Sequence, residues 1–167
     1  ARELVAFFWN LFSGSGPAIF IRYRSISHVN TKQVGDTSEA MVLAELVTRG
    51  YTVSVPFGDN DPYDLIVDIG DELYRVQVKT GWIEDDCLRF KTASKTTVEG
   101  TPRMDDYDTD DIDAFAVRCK NTGSLYWVPV GSAGKKNTYL RLDSPKIDHP
   151  SVSLAAEFTF DAMLPGS

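Results

Sequence analysis

The sequence predicts an α/β or α+β fold, a mixed sheet with one long helix laid against a face. Three stretches carry that expectation. A capped helical run occupies residues 31–49, and Gly50 follows it as a stop. Tyr63 to Thr80, YDLIVDIGDELYRVQVKT, reads as two strands around a tight turn. Ile112 to Cys119 and Ser124 to Val130 alternate as a second strand pair about Asn121-Thr122-Gly123. The order helix, strand, hairpin, strand, strand fits a helix packed on a mixed sheet.

Taken in order, residues 1–30 read as an appendage to a single domain over 31–167. Ala1 to Phe12 suits a short amphipathic helix, Ser13 to Pro17 a flexible break, and Ala18 to Tyr23 a strand. The first run is far shorter than the ~20 apolar residues of a membrane span. It also lacks the basic start and small-residue cleavage pattern of a secretory signal, so a cytoplasmic location is expected. Asn30 or Thr31 caps the helix, whose apolar positions Leu43, Leu46 and Val47 place Glu39 at the head of the core-facing stripe. Tyr51 to Pro56 follows as a strand and Phe57 to Pro62 as a loop.

In the hairpin, Gly70-Asp71 suits a two-residue loop with glycine first. Ile69 then pairs with Glu72, which sets Asp64 opposite Gln77. Opposed residues share a face of the sheet, and Lys79, two residues on, shares it too. A carboxylate, an amide and an ammonium converge at one end of the hairpin, and a one-residue slip would scatter them. Asp61 and Asp68 are rival carboxylates, but neither faces Gln77.

Further along, Leu88 to Thr92 reads as a strand, Gly100 to Asp111 as an acid-rich surface loop, and Gly131 to Asn137 as a mobile loop. Thr138 to Leu142 reads as a strand, and Val152 to Phe160 as a weak helix or strand. Arg89, Lys91 and Lys95 form the nearest basic cluster, and Lys135-Lys136 a second.

Asp64 in Pro62-Tyr63-Asp64, then Gln77-Val78-Lys79 after a hairpin, with Glu39 on a preceding helix, resembles the core of the PD-(D/E)XK nucleases. The Q-x-K ending is similar to that of group I intron-associated homing endonucleases, and more distantly the pattern resembles archaeal Holliday junction resolvases. The resemblance implies a restriction-endonuclease-like αβββαβ core. Its second helix has no clear counterpart between Gly81 and Asp111, where a short helix near Pro102 to Tyr107 or a loop is expected. It also implies hydrolysis of DNA phosphodiesters with Mg²⁺, for which Mn²⁺ substitutes. Asp64, the Gln77 amide oxygen and the Val78 carbonyl would be the metal ligands. Lys79 would act on the attacking water or the developing charge, and Glu39 would hold a water or help a second ion. Arg89, Lys91, Lys95, Lys135 and Lys136 would contact double-stranded DNA, and a double-strand break implies a homodimer or homotetramer.

Composition pulls the other way. A net charge of −7 and a pI near 4.8 are not those of a typical nucleic-acid binder. A local basic groove can coexist with an acidic remainder, and excess surface acid is also a halophilic composition. Cys87, Cys119, His28 and His149 have no metal-ligand spacing, which argues against structural zinc and a histidine triad. Two readings compete with the nuclease: a binding module on a decayed nuclease fold, and an acidic interaction protein with no DNA role.

Overall fold

A computed structural model describes residues 30–58, 61–98, 101–143 and 153–164, apart from the side chains of 94–98 and 101–106. The helix and strand expected within residues 1–29 lie outside those described. Helix α1 spans Thr31–Thr48, with the Asn30 side chain accepting from the Lys32 amide at 3.2 Å. It ends as a Schellman motif: Gly50, at φ 90°, donates to Val47 O and Tyr51 donates to Leu46 O. The buried stripe is Ser38, Val42 and Leu46, one residue round from the expected one, and Val47 is exposed. Glu39 lies half-buried beside that stripe.

Strands β1 (Thr52–Ser54), β2 (Leu65–Ile69) and β3 (Glu72–Glu84) run antiparallel in succession. Ile69 pairs with Glu72 as expected, and Gly70 takes φ 69° at the first turn position. Strand β3 is longer than its sequence suggests and continues through Gly81 to a turn at Asp85-Asp86, both with positive φ. Strand β4 (Cys87–Lys91) returns along it. Strands β5 (Ala93–Val98) and β6 (Thr101–Asp106) form a separate two-stranded ribbon. This ribbon corrects the expected short helix or acidic loop: the described residues between Gly81 and Asp111 contain no helix.

Strand β7 (Ala114–Cys119) then lies parallel to β3, and β8 (Leu125–Pro129) antiparallel to β7. After a 3₁₀ turn at Val130–Ser132, β9 (Asn137–Arg141) pairs with β4. A second 3₁₀ turn, Ala155–Phe158, and helix α2 (Phe160–Met163) follow, where a weak helix or strand was expected. The parallel register of β3 on β7 is pinned by a reciprocal clamp. Asp113 N–H donates to Arg75 O, and the Arg75 N–H and guanidinium donate to the Asp113 carboxylate. Burial alone would raise Asp113, but these bonds hold it below its ordinary pKa.

Two apolar layers flank the sheet. Alternation along β7 sends the small Ala114 and Ala116 toward α1, where they meet Val42, Leu46, Val76 and Val78. Phe115, Val117 and Cys119 point into the other layer with Leu88, Phe90 and Leu140. Gly81 is where β3 passes closest to its neighbours. A Cβ there would stand 2.8 Å from Leu88 Cδ1, 3.0 Å from Val117 Cγ1 and 3.2 Å from Arg89 O. Gly81→Ala is therefore expected to cost about 1–3 kcal/mol. Urea unfolding should show a lower midpoint at unchanged slope; an unmoved midpoint would mean that these strands part without penalty.

Candidate active site

The backbone of β3 creates the site by losing a partner. Its ladder with β2 stops at Leu65↔Val76 and its ladder with β4 starts at Trp82↔Arg89. Arg75 O and Gly81 O both accept from the β7 side, and Val76 O accepts from Asp64 N–H on the opposite side. Backbone groups alternate sides along a strand, so Val78 directs its N–H and carbonyl toward the unpaired gap. Its N–H confirms the direction by donating to Asp64 Oδ2 at 2.8 Å.

Asp64 thus sits one residue beyond the ladder, at the mouth of the gap. Gln77 Nε2 also donates to Asp64 Oδ2, and among the described residues no hydrogen bond falls on Oδ1. The Gln77 amide is buried, and its oxygen accepts from the Tyr107 hydroxyl at 2.8 Å. Lys79, on the same face, places Nζ 3.3 Å from the Tyr107 hydroxyl oxygen and 4.8 Å from the centre of its ring. Burial pushes the Asp64 carboxyl above its ordinary pKa, against the lowering effects of the Val78 N–H, Lys79 and Gln77. Burial pushes the Lys79 ammonium down, with Asp64 opposing it. Two opposite charges are held here partly stripped of water.

A cleft of about 250 Å³ opens beside Asp64, lined by Glu39, Val55, Asp61 and Tyr63 among others. Glu39 thus comes to the same cleft as Asp64 from the α1 side. Asp61 reaches the cleft but is exposed, whereas Asp68 pairs with Thr52 and Leu73 farther along the sheet.

The basic residues divide. Lys91, at the end of β4, pairs with Asn137, and Thr92 N–H donates to Lys136 O. Lys91, Lys135 and Lys136 are thereby gathered, all exposed, at the root of the β5–β6 ribbon. Arg89 is elsewhere: it pairs with Glu84 and lies over the rings of Trp82 and Tyr139. The Lys95 side chain lies outside those described. Sequence reasoning missed Tyr107, which follows a charge-rich stretch 30 residues from Gln77 and carries no local signal of its role.

A family model described as PD-(D/E)XK endonuclease matches residues 29–161, most of the chain. The chain belongs to the PD-(D/E)XK endonuclease family. Among solved structures it is similar to a bacterial homing endonuclease, I-Ssp6803I, at 23% identity and a TM-score of 0.63. That likeness covers 78% of this chain and 89% of the other. A weaker likeness is to Hjc, a Holliday junction resolvase from the archaeal hyperthermophile Archaeoglobus fulgidus, at 14% identity and a TM-score of 0.39. It covers 65% of this chain and 84% of the other. No curated protein sequence matches. This PD-(D/E)XK endonuclease therefore has the restriction-endonuclease-like fold, with a β-ribbon where the second core helix was expected.

Nucleases of this family typically use divalent metals, and the donors present suit a hard ion. Asp64 Oδ1, the Val78 carbonyl and Glu39 are oxygens, with no sulfur or imidazole among them, and the Gln77 amide oxygen, which accepts from Tyr107, would offer an ion its second lone pair. Among the described residues no group of three or more His, Cys, Asp or Glu could hold a metal by itself.

Proposed function

We propose that this endonuclease is a metal-dependent DNA-cutting enzyme of the homing type, acting on double-stranded DNA as a homodimer or homotetramer. The observation that supports it best is the joining of Asp64, Gln77 and Lys79 at one unpaired edge of β3, beside a cleft that Glu39 also lines. Asp64, the Gln77 amide oxygen and the Val78 carbonyl would hold Mg²⁺, with Mn²⁺ as substitute. Bound there, the ion supplies a Lewis acid and lowers the pKa of water. Lys79, half-buried and cationic, stabilises negative charge developing on the scissile phosphate. Glu39 holds the attacking water from the helix side of the cleft. Lys91, Lys135 and Lys136 meet the DNA backbone and offset the chain's net acidity locally.

Gln77 in the place of an acid favours one alternative, a DNA-binding module whose site no longer cuts. The two readings separate in a nicking assay on supercoiled plasmid with Mg²⁺, Mn²⁺ or EDTA, at low and at molar KCl. The nuclease nicks with metal and not with EDTA. A folded protein that binds the plasmid with strong salt dependence, indifferent to metal and without nicking, would instead be the module.

A further inference from the structure

We propose that Tyr107 is a positioning residue that locks Gln77 and Lys79 into one directed hydrogen-bond chain ending on Asp64. The inference rests on the nuclease reading of the site but adds a residue outside the hairpin. Lys79 Nζ donates to the Tyr107 hydroxyl oxygen at 3.3 Å, and that hydroxyl donates to Gln77 Oε1 at 2.8 Å. Gln77 Nε2 then donates to Asp64 Oδ2.

The donor and acceptor chemistry allows only this direction. An ammonium has no acceptor, so the tyrosine oxygen must accept from it. At Gln77 the direction is set from the other end, because Asp64, as a carboxylate, can only accept. The amide nitrogen is thereby turned toward Asp64, which leaves the amide oxygen to take the Tyr107 hydroxyl proton. Turning the amide over would set oxygen against carboxylate and NH₂ against a hydroxyl proton. Without Tyr107 neither Gln77 nor Lys79 has this reason to hold one orientation.

The tyrosine itself is held firmly enough to do this. Its ring stands edge-on to Phe115 at 5.5 Å and 88°. Phe115 is almost fully buried and is the β7 partner of Gln77 in the sheet. The anchor of the hydroxyl and the backbone of its target therefore belong to one rung of the same ladder. Groups that orient ligands or catalytic side chains in this way typically contribute 10–100-fold to affinity or activity.

Tyr107→Phe removes the hydroxyl and keeps the ring, its contact with Phe115 and its face toward Lys79. The chain has only two glutamines, Gln33 and Gln77, and Gln33 is exposed on α1. Glutamine-selective ¹⁵N labelling therefore reports the Gln77 side-chain amide directly, with Gln33 as internal reference. In metal-free protein the variant should speed Gln77 NH₂ hydrogen exchange at least about tenfold, leave Gln33 unchanged and lower Tm by no more than about 5 °C. On supercoiled plasmid in Mg²⁺, kcat should fall about 10–100-fold while KM stays within about threefold.

Unchanged Gln77 exchange and unchanged kcat in an otherwise active enzyme would overturn the proposal. A large Tm loss with kcat and KM moving together would overturn it too, by reducing Tyr107 to packing. If the wild type cuts nothing while Gln77 exchange still accelerates in the variant, the nuclease reading fails and the positioning role stands.

Discussion

Asp64→Asn is expected to abolish cleavage, by at least about 10²–10³-fold, while stabilising the metal-free protein. The activity loss follows from removing the carboxylate that the Val78 N–H holds at the β3 gap. The stability gain follows from the cost of keeping that carboxylate there. Desolvation raises its pKa in the folded state even after the Val78 N–H, Lys79 and Gln77 have acted to lower it. Folding therefore works against the ionised form. For a carboxyl whose folded pKa lies above the unfolded value near 3.8, the favourable contribution is complete below 3.8 and is lost as pH rises through the folded pKa. Asparagine has no such loss and can still accept from Val78 and Gln77.

At pH 7 the variant should be more stable by about 0.5–2 kcal/mol, the usual return for relieving a strained functional site. The difference should shrink as pH is lowered toward 4. Mg²⁺ should raise the melting temperature of the wild type and not of the variant, because only the former gains binding energy in the native state. A variant less stable than wild type at pH 7 would show that Lys79 depends on the Asp64 charge more than the buried carboxylate costs.

Gln77→Glu carries the second large effect, and its sign depends on metal. Gln77 Nε2 donates to Asp64 Oδ2, and glutamate has no proton to offer there. Two carboxylates in hydrogen-bond contact drive one pKa upward. Without metal the variant should lose about 1–3 kcal/mol at neutral pH, the cost of leaving a buried acceptor unmet. It should regain that stability in acid, once the pair shares a proton. A divalent cation reverses the balance by neutralising the added charge, so calorimetry should show Mn²⁺ binding about tenfold or more tighter than in wild type. Binding no tighter than wild type would mean that charge is not what limits metal at this site.

The hairpin was legible because its information is local. The period of two in Glu72 to Thr80 and the glycine at position 70 fix which side chains share a face, and the observed register agrees at every pair from Ile69↔Glu72 to Leu65↔Val76. What followed Gly81 was harder to read. Glycine inside a strand looks like an end, but here it admits Leu88 and Val117 at close range, and β3 runs on to Glu84. The β5–β6 ribbon was hidden by charge: acids in TPRMDD suggested solvated loop, although the β-branched run in ASKTTV and the glycine at position 100 are hairpin signals. The parallel pairing of β3 with β7 depends on a partner more than 30 residues away, which no local pattern specifies. Tyr107 reaches the site only through that long-range arrangement.

If the unpaired edge of β3 is a working phosphodiesterase centre, replacing its one lysine, Lys79→Ala, should disable it. Lys79 lies on a face of the hairpin that packing alone does not require to be cationic, and burial already lowers its pKa. Nicking of supercoiled DNA should be measured for wild type and variant in Mg²⁺, Mn²⁺ and EDTA, with folding and plasmid binding checked in parallel. The expected result is metal-dependent nicking by wild type and a loss of at least about 10²-fold in the variant, with DNA still bound. Equal nicking by both proteins would contradict it, and so would nicking that persists in EDTA.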